Sequence, residues 1–155
     1  MADRAMVAAA QALRTAGFDV VRFNFPYREQ GSKRPDPMPV LKDCIADMAA
    51  KVREPGKKLV LGGRSMGGRA ASMLAADGFG CDGLLLLAYP LHPAGNTDKL
   101  RDKHLKDIKV PVLCFNGTRD ALCDRDLMER AVEDTKWHMH WLHGADHSSG
   151  SFFGP

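Results

Sequence analysis

The 155 residues are enough for one domain with a real core. The formal net charge is only +3, and the 22 Lys and Arg are spread along the chain rather than gathered into a stripe with stacking aromatics, which argues against a nucleic-acid surface. No apolar run approaches the ~18–20 residues of a membrane span, so no membrane contact is expected.

The elements alternate along the chain. Residues 2–16 read as a helix, with Met6, Val7, Ala10 and Leu13 at helical spacing and Gly17 placed to end it. This segment carries Asp3, Arg4 and Arg14 and lacks the basic-then-apolar order of a signal peptide, so a cytoplasmic location is the expectation. Residues 18–25 (FDVVRFNF) are β-branched and aromatic and read as a first strand closed by Pro26. Residues 28–37 form a polar loop, and residues 39–52 return to helical spacing through Val40, Leu41, Cys44, Ile45 and Met48. Residues 58–62 (KLVLG) read as a short buried strand, and 66–76 as a helix of small residues.

Residues 82–88 (DGLLLLA) form a third strand whose lack of alternation implies burial on both faces. Residues 97–107 look helical, with Thr97 as candidate N-cap. A fourth strand over 110–116 (VPVLCFN), a helix over 124–134 and a fifth strand over 136–142 follow, and the tail from 143 reads as loop. No internal repeat or linker breaks the pattern. The expected fold class is α/β, one domain over residues 1–155, with a mainly parallel sheet of about five strands flanked by helices.

One motif carries chemistry. Gly63-Arg64-Ser65-Met66-Gly67 fits G-x-S-x-G and lies between a predicted strand and a predicted helix, as a nucleophile elbow requires. The turn is tight, and Gly63 and Gly67 remove side chains that would clash there. The Met66 N–H at the helix start is the candidate oxyanion donor, assisted by the helix dipole. The bland alternative is a glycine-rich turn that only packs helix on sheet. A serine nucleophile also needs a base held by a third group, in the chain order Ser, acid, His. Asp120 follows the fourth strand and His147 follows the fifth, so both fall at the carboxyl edge of the sheet with Ser65. Asp124 and Asp126 compete for the acid position, and Asp146 reads as a loop residue.

Arg64, beside the elbow, and Tyr89, after the third strand, are candidate substrate contacts. Arg64 and Arg69 would suit an anionic carboxylate, or be solvent-facing charges. His138, His140 and His143 have no acidic or Cys partner at a recognisable metal spacing, so no metal or other cofactor is expected. Cys44, Cys81, Cys114 and Cys123 show no metal spacing either and read as small core residues in a reducing compartment. GGRSMGG lacks the Lys-Ser/Thr of a P-loop and the G-x-G-x-x-G spacing, which excludes those nucleotide motifs.

The stretches GFDVVRFNFPY (17–27), LGGRSMGGRAAS (61–72), YPLHPAGNTDKLRDKHL (89–105), PVLCFNGTRDALC (111–123) and GADHS (144–148) span nearly the whole chain. In them the sequence resembles small α/β-hydrolases related to dienelactone hydrolases. The nearest group is the testis-expressed hydrolase-like proteins and the hydrolase-like domain of a subunit of the NSL histone acetyltransferase complex. The resemblance implies a serine hydrolase whose triad falls on Ser65, Asp120 and His147.

Members of that family begin with strands that precede the first helix seen here, one followed by a His-Gly-containing loop that supplies a second oxyanion donor, and they end on a further helix. The resemblance therefore implies a truncated α/β-hydrolase fold. Either the chain is a fragment, or strand 18–25 slides over to pair with strand 58–62. A thinner cover over one sheet face leads to the expectation of a homodimer or larger homo-oligomer. The functional expectation is hydrolysis of a small-molecule ester. The alternative is a scaffold or binding module that keeps the fold with weak or no catalysis.

Overall fold

The computed structural model describes residues 4–147. Residues 2 and 3 of the first expected helix, and the expected loop from 148 onward, lie outside the described residues. The elements are α1 (Arg4–Thr15), α2 (Pro26–Glu29), α3 (Met38–Val52), β1 (Val60–Arg64), α4 (Met66–Ala76), β2 (Gly83–Leu87), a 3₁₀ turn (Leu105–Asp107), β3 (Val112–Gly117), α5 (Arg125–Ala131) and β4 (Trp137–Leu142). The four strands form one wholly parallel sheet in the order β1-β2-β3-β4.

The Leu run of β2 explains its central place. Leu84 and Leu86 face the larger core, with Leu41, Ile45 and Ala49 of α3, Ala70, Ala71 and Leu74 of α4, and Met128 of α5. Leu87 and Ala88 turn to the opposite face, where Ala5 and Ala9 of α1 cover them. A strand buried on both sides needs no polar alternation. The four cysteines are all unpaired, with Cys114 and Cys123 buried. No helix among the described residues is long and apolar enough to cross a membrane.

Three sequence expectations are corrected. Residues 18–25 are extended but join no ladder among the described residues, where the sheet has four strands rather than five and the expected pairing with 58–62 is absent. β-branched and aromatic residues favour a pleated, half-buried surface, but they do not supply the hydrogen-bonding neighbour. Side chains anchor the segment instead. Arg14 donates to the Val20 carbonyl at 2.9 Å, Lys57 pairs with Asp19 at 3.2 Å, and Phe25 stacks on Tyr27. Phe18, Val21 and Phe23 stay exposed. Residues 97–107 are not a helix but a series of turns ending in the 3₁₀ turn. The Arg101 N–H donates to the Leu91 carbonyl at 2.7 Å, a long-range bond that draws this backbone out of helical pairing. Pro26, expected only to close a strand, opens the short α2, where its missing N–H costs nothing.

Glycine spacing fixes how close α4 sits to the sheet. A Cβ on Gly63 would lie 2.5 Å from the Gly67 carbonyl carbon and 2.6 Å from the Gly68 nitrogen. A Cβ on Gly68 would lie 2.8 Å from the Gly63 oxygen. Both obstacles are backbone and cannot rotate away. At Gly67 the nearest atom is a Phe25 ring carbon at 3.4 Å, an ordinary contact. The glycines that the turn requires are therefore Gly63 and Gly68, not Gly63 and Gly67. In urea unfolding, Gly63→Ala is expected to lose about 3 kcal/mol or more. Gly67→Ala is expected to stay within about 1 kcal/mol of the parent, helped by helix propensity. Equal losses would overturn this division of roles.

Candidate active site

Ser65 occupies the single residue between β1 and α4, at φ 53° and ψ −119°. That region of backbone space is costly for any residue with a Cβ and holds only where the surroundings enforce it. Here the enforcement is the Gly63–Gly68 approach together with a 2.8 Å bond from the Ser65 N–H to the Leu87 carbonyl of β2. Met66 is the first residue of α4, so its N–H belongs to the unsatisfied first turn of the helix.

Asp120 and His147 arrive on two loops that are stitched together. β3 and β4 pair through Gly117 and Leu142. Beyond that point the Thr118 N–H donates to the Leu142 carbonyl at 3.1 Å, and the Arg119 N–H donates to the Ala145 carbonyl at 2.9 Å. The Gly144 N–H donates to Thr118 Oγ1 at 2.8 Å. Gly117 lies so close to Ala145 that a Cβ there would collide with the Ala145 backbone.

The structure brings the three sequence-predicted residues into one hydrogen-bonded chain. Ser65 Oγ lies 2.8 Å from His147 Nε2, and His147 Nδ1 lies 2.7 Å from Asp120 Oδ2. The Asp120 side chain is fully buried, while that of His147 keeps 26% of its surface exposed. Asp120 Oδ1 accepts from the Leu122 N–H at 2.8 Å, so both carboxylate oxygens are held. A carboxylate can only accept, which puts the proton on His147 Nδ1 and leaves Nε2 as the acceptor facing the Ser65 hydroxyl. Asp124, one of the competing acids, is instead the N-cap of α5, accepting from the Leu127 N–H at 3.0 Å.

The two expected substrate contacts are placed differently. Tyr89 is fully buried, donates from its hydroxyl to the Arg101 carbonyl at 2.8 Å and packs edge-on against Trp137. Its side chain turns into the core and does not reach the site. Arg64 directs its guanidinium at the His147 carbonyl. This contact links the histidine loop to the end of β1.

Sequence reasoning missed two anchors. Asn116, fully buried, accepts from the Tyr89 N–H at 3.1 Å and fixes the chain leaving β2 against β3. His92, also buried, accepts at Nε2 from the Asp124 N–H at 3.0 Å and ties that same chain to the loop of Asp120. A polar residue at a strand end is a weak signal for such roles, because both partners are remote in sequence.

A parallel sheet with its serine on a strained strand-to-helix turn, and an acid and a histidine on the next loops of the same edge, defines the α/β-hydrolase class. The family described as "Alpha/beta hydrolase domain" matches residues 1–151, and the chain belongs to it. An α/β serine hydrolase homologue from Coxiella burnetii is similar at 20% identity and TM-score 0.74, over 96% of this chain and 70% of that one. A serine hydrolase without a lid from Xanthomonas campestris is similar at 27% identity and TM-score 0.73, over 95% of this chain and 66% of that one. A monoacylglycerol lipase from Paleococcus ferrophilus shares 19% identity at TM-score 0.71, over 91% of this chain and 79% of that one.

A second Ser–His contact lies behind the site. Ser72 Oγ is 2.8 Å from His104 Nε2 and donates to the Arg69 carbonyl at 2.7 Å. Burial, and then the Arg69 charge, push the His104 pKa down from 6.5 to about 4. The unfolded chain binds a proton at the ordinary value. Between pH 6.5 and about 4 it therefore holds more protons than the folded one, and stability falls as pH drops through that window. The melting temperature of the parent is expected to fall more steeply there than that of His104→Asn. Parallel pH profiles would place the acid sensitivity elsewhere.

Proposed function

We propose that this protein is a serine hydrolase of small carboxylic esters, with Ser65 as nucleophile, His147 as base, Asp120 as the orienting acid and the Met66 N–H as oxyanion donor. The observation that carries the reading is the hydrogen-bonded chain from the strained Ser65 through His147 to a buried Asp120. The lid-free serine hydrolase it resembles supports the same choice, since an uncovered serine suits small, accessible esters better than long lipids.

Ser65 Oγ attacks the ester carbonyl carbon while His147 Nε2 takes its proton. The carbonyl oxygen becomes an oxyanion against the Met66 N–H. Collapse breaks the bond to the leaving alkoxide, which takes the proton from His147 and departs as the alcohol, leaving acyl-Ser65. Water then attacks the acyl carbon, giving its proton to His147, and the acid leaves as Ser65 recovers its proton. Asp120 stabilises the imidazolium formed in each half. An oxyanion donor of this kind is worth about 10²–10³ in turnover.

A second reading is a binding module that keeps the fold without turnover. Short acyl nitrophenyl esters and a fluorophosphonate probe separate the two. The expected outcome is turnover and labelling at Ser65, both lost in Ser65→Ala, with Asp120→Asn slower by on the order of 10³–10⁴-fold. Folded protein that neither labels nor turns over would establish the binding module. Undiminished activity in Ser65→Ala would reject Ser65 as the nucleophile.

A further inference from the structure

The loop that carries Asp120 runs along the surface. Arg119, Ala121 and Asp124 are exposed, while Asp120 and Cys123 are buried. Water lies on the outer side of such a loop, so the aim of an inward side chain depends on what fastens the inner side. Local bonds give the loop its curl. The Asp120 N–H donates to the Gly117 carbonyl at 3.3 Å, and the Cys123 N–H donates to the Asp120 carbonyl at 3.2 Å. Neither bond ties residues 121–124 to a remote part of the chain.

Two bonds that do so end on one residue of the chain leaving β2. The His92 N–H donates to the Leu122 carbonyl at 3.1 Å, and the Asp124 N–H donates to His92 Nε2 at 3.0 Å. His92 is itself buried, and its Nδ1 lies 2.9 Å from the Pro93 carbonyl. A carbonyl only accepts and a backbone N–H only donates, so Nδ1 carries the proton and Nε2 is the acceptor. Both contacts therefore ask for the same neutral tautomer.

Leu122 is the link to the candidate triad. Its carbonyl is held by His92, and its N–H donates to Asp120 Oδ1 at 2.8 Å. The other oxygen, Oδ2, meets His147 Nδ1 at 2.7 Å. His92, Leu122, Asp120, His147 and Ser65 thus form one continuous run, with every step 3.1 Å or shorter.

We infer that His92 is a positioning residue of the candidate site. By holding Asp124 and Leu122 together, it keeps the Leu122 N–H on Asp120 Oδ1 and so aims Oδ2 at His147. It touches neither substrate nor reacting atoms. The inference deepens the hydrolase reading and rests on it for the use of the carboxylate.

The test uses two variants of the full chain. In His92→Gln the amide oxygen stands as many bonds from Cα as Nε2, so an acceptor for the Asp124 N–H is kept. In His92→Asn the amide stands at the place of Nδ1, and that acceptor is lost. Both retain the backbone bond to Leu122, and melting temperatures fix a working temperature at which each is folded. With short acyl nitrophenyl esters, His92→Asn is expected to lower kcat about 10–10²-fold with KM within about twofold of the parent, and His92→Gln to regain most of the loss. In the Asp120→Asn background, adding His92→Asn is expected to cost less than about threefold, because the group it positions is already gone.

A second readout needs no turnover. The His147 Nδ1 proton is followed by NMR as a low-field resonance that Asp120→Asn removes. It is expected to persist in His92→Gln and to be lost or moved upfield in His92→Asn. Parental kcat in folded His92→Asn overturns the inference. So do equal losses in the Asn and Gln variants, or the same fold loss with and without Asp120→Asn, since either outcome leaves His92 a packing role only. A parent that neither turns over nor takes the fluorophosphonate label overturns the hydrolase reading instead. The resonance then decides alone, and its survival unchanged in His92→Asn overturns the positioning role.

Discussion

Hydrogen is the only side chain that fits between the end of β1 and the first turn of α4. The Gly63–Gly68 approach brings two backbones to a distance that a single methyl group would forbid. Everything at the candidate site is referred to that contact. The intervening residue takes a positive φ, and its hydroxyl meets His147 Nε2 at 2.8 Å. The strain is held by β2, through the bond from the Ser65 N–H to the Leu87 carbonyl. β1 and β2 are in turn locked in register from Val60 opposite Gly83 to Arg64 opposite Leu87. The position of one hydroxyl therefore depends on a strand pairing whose core side chains, Leu84 and Leu86, are buried far from any chemistry.

The same device recurs at the other half of the site. Gly117 ends β3 against the Ala145 backbone, and only a glycine permits that approach. The consequence is that the loop of Asp120 and the loop of His147 form one body, joined by backbone bonds rather than by the imidazole–carboxylate contact alone. Arg64 completes the arrangement by linking the end of β1 to the His147 carbonyl. Preorganisation of this kind matters for acid–base chemistry because a carboxylate can orient an imidazole only if neither has to be moved into place.

The sequence carried the site in a legible form because each part is local. An apolar run, G-x-S-x-G and a run of small residues specify strand, turn and helix without remote information, and Asp120 and His147 each follow a recognisable strand. What was not legible depends on remote partners. Residues 18–25 have the composition of a strand, but composition does not supply a neighbouring ladder. Residues 97–107 have a helical pattern, but the Arg101 N–H is taken by Leu91, and no local pattern records that. Tyr89 could be placed at a strand end, but not aimed. Ala88 before it sits at φ 54°, and the chain turns so that the phenol enters the core. Which glycine of the pair Gly67 and Gly68 meets β1 is a question of rotation about the helix axis, one that the motif alone does not answer.

The protein contains its own control for what makes a serine chemically useful. Ser65 and Ser72 each lie 2.8 Å from a histidine Nε2, and both belong to the same strand-turn-helix unit. In every other respect they differ. Ser72 sits in regular helix, fully buried, and returns its hydroxyl proton to the Arg69 carbonyl one turn back. Its histidine is held neutral by burial and by the Arg69 charge, so an imidazolium there would be disfavoured at the moment a base must accept a proton. Ser65 sits on a strained turn, its histidine is partly open to solvent, and a buried carboxylate stands behind that histidine where it would stabilise a positive charge. A hydroxyl–imidazole distance alone would rank the two pairs equally. The third partner, the access and the sign of the surrounding charge separate them, and those are the terms on which Ser65 is proposed as the nucleophile.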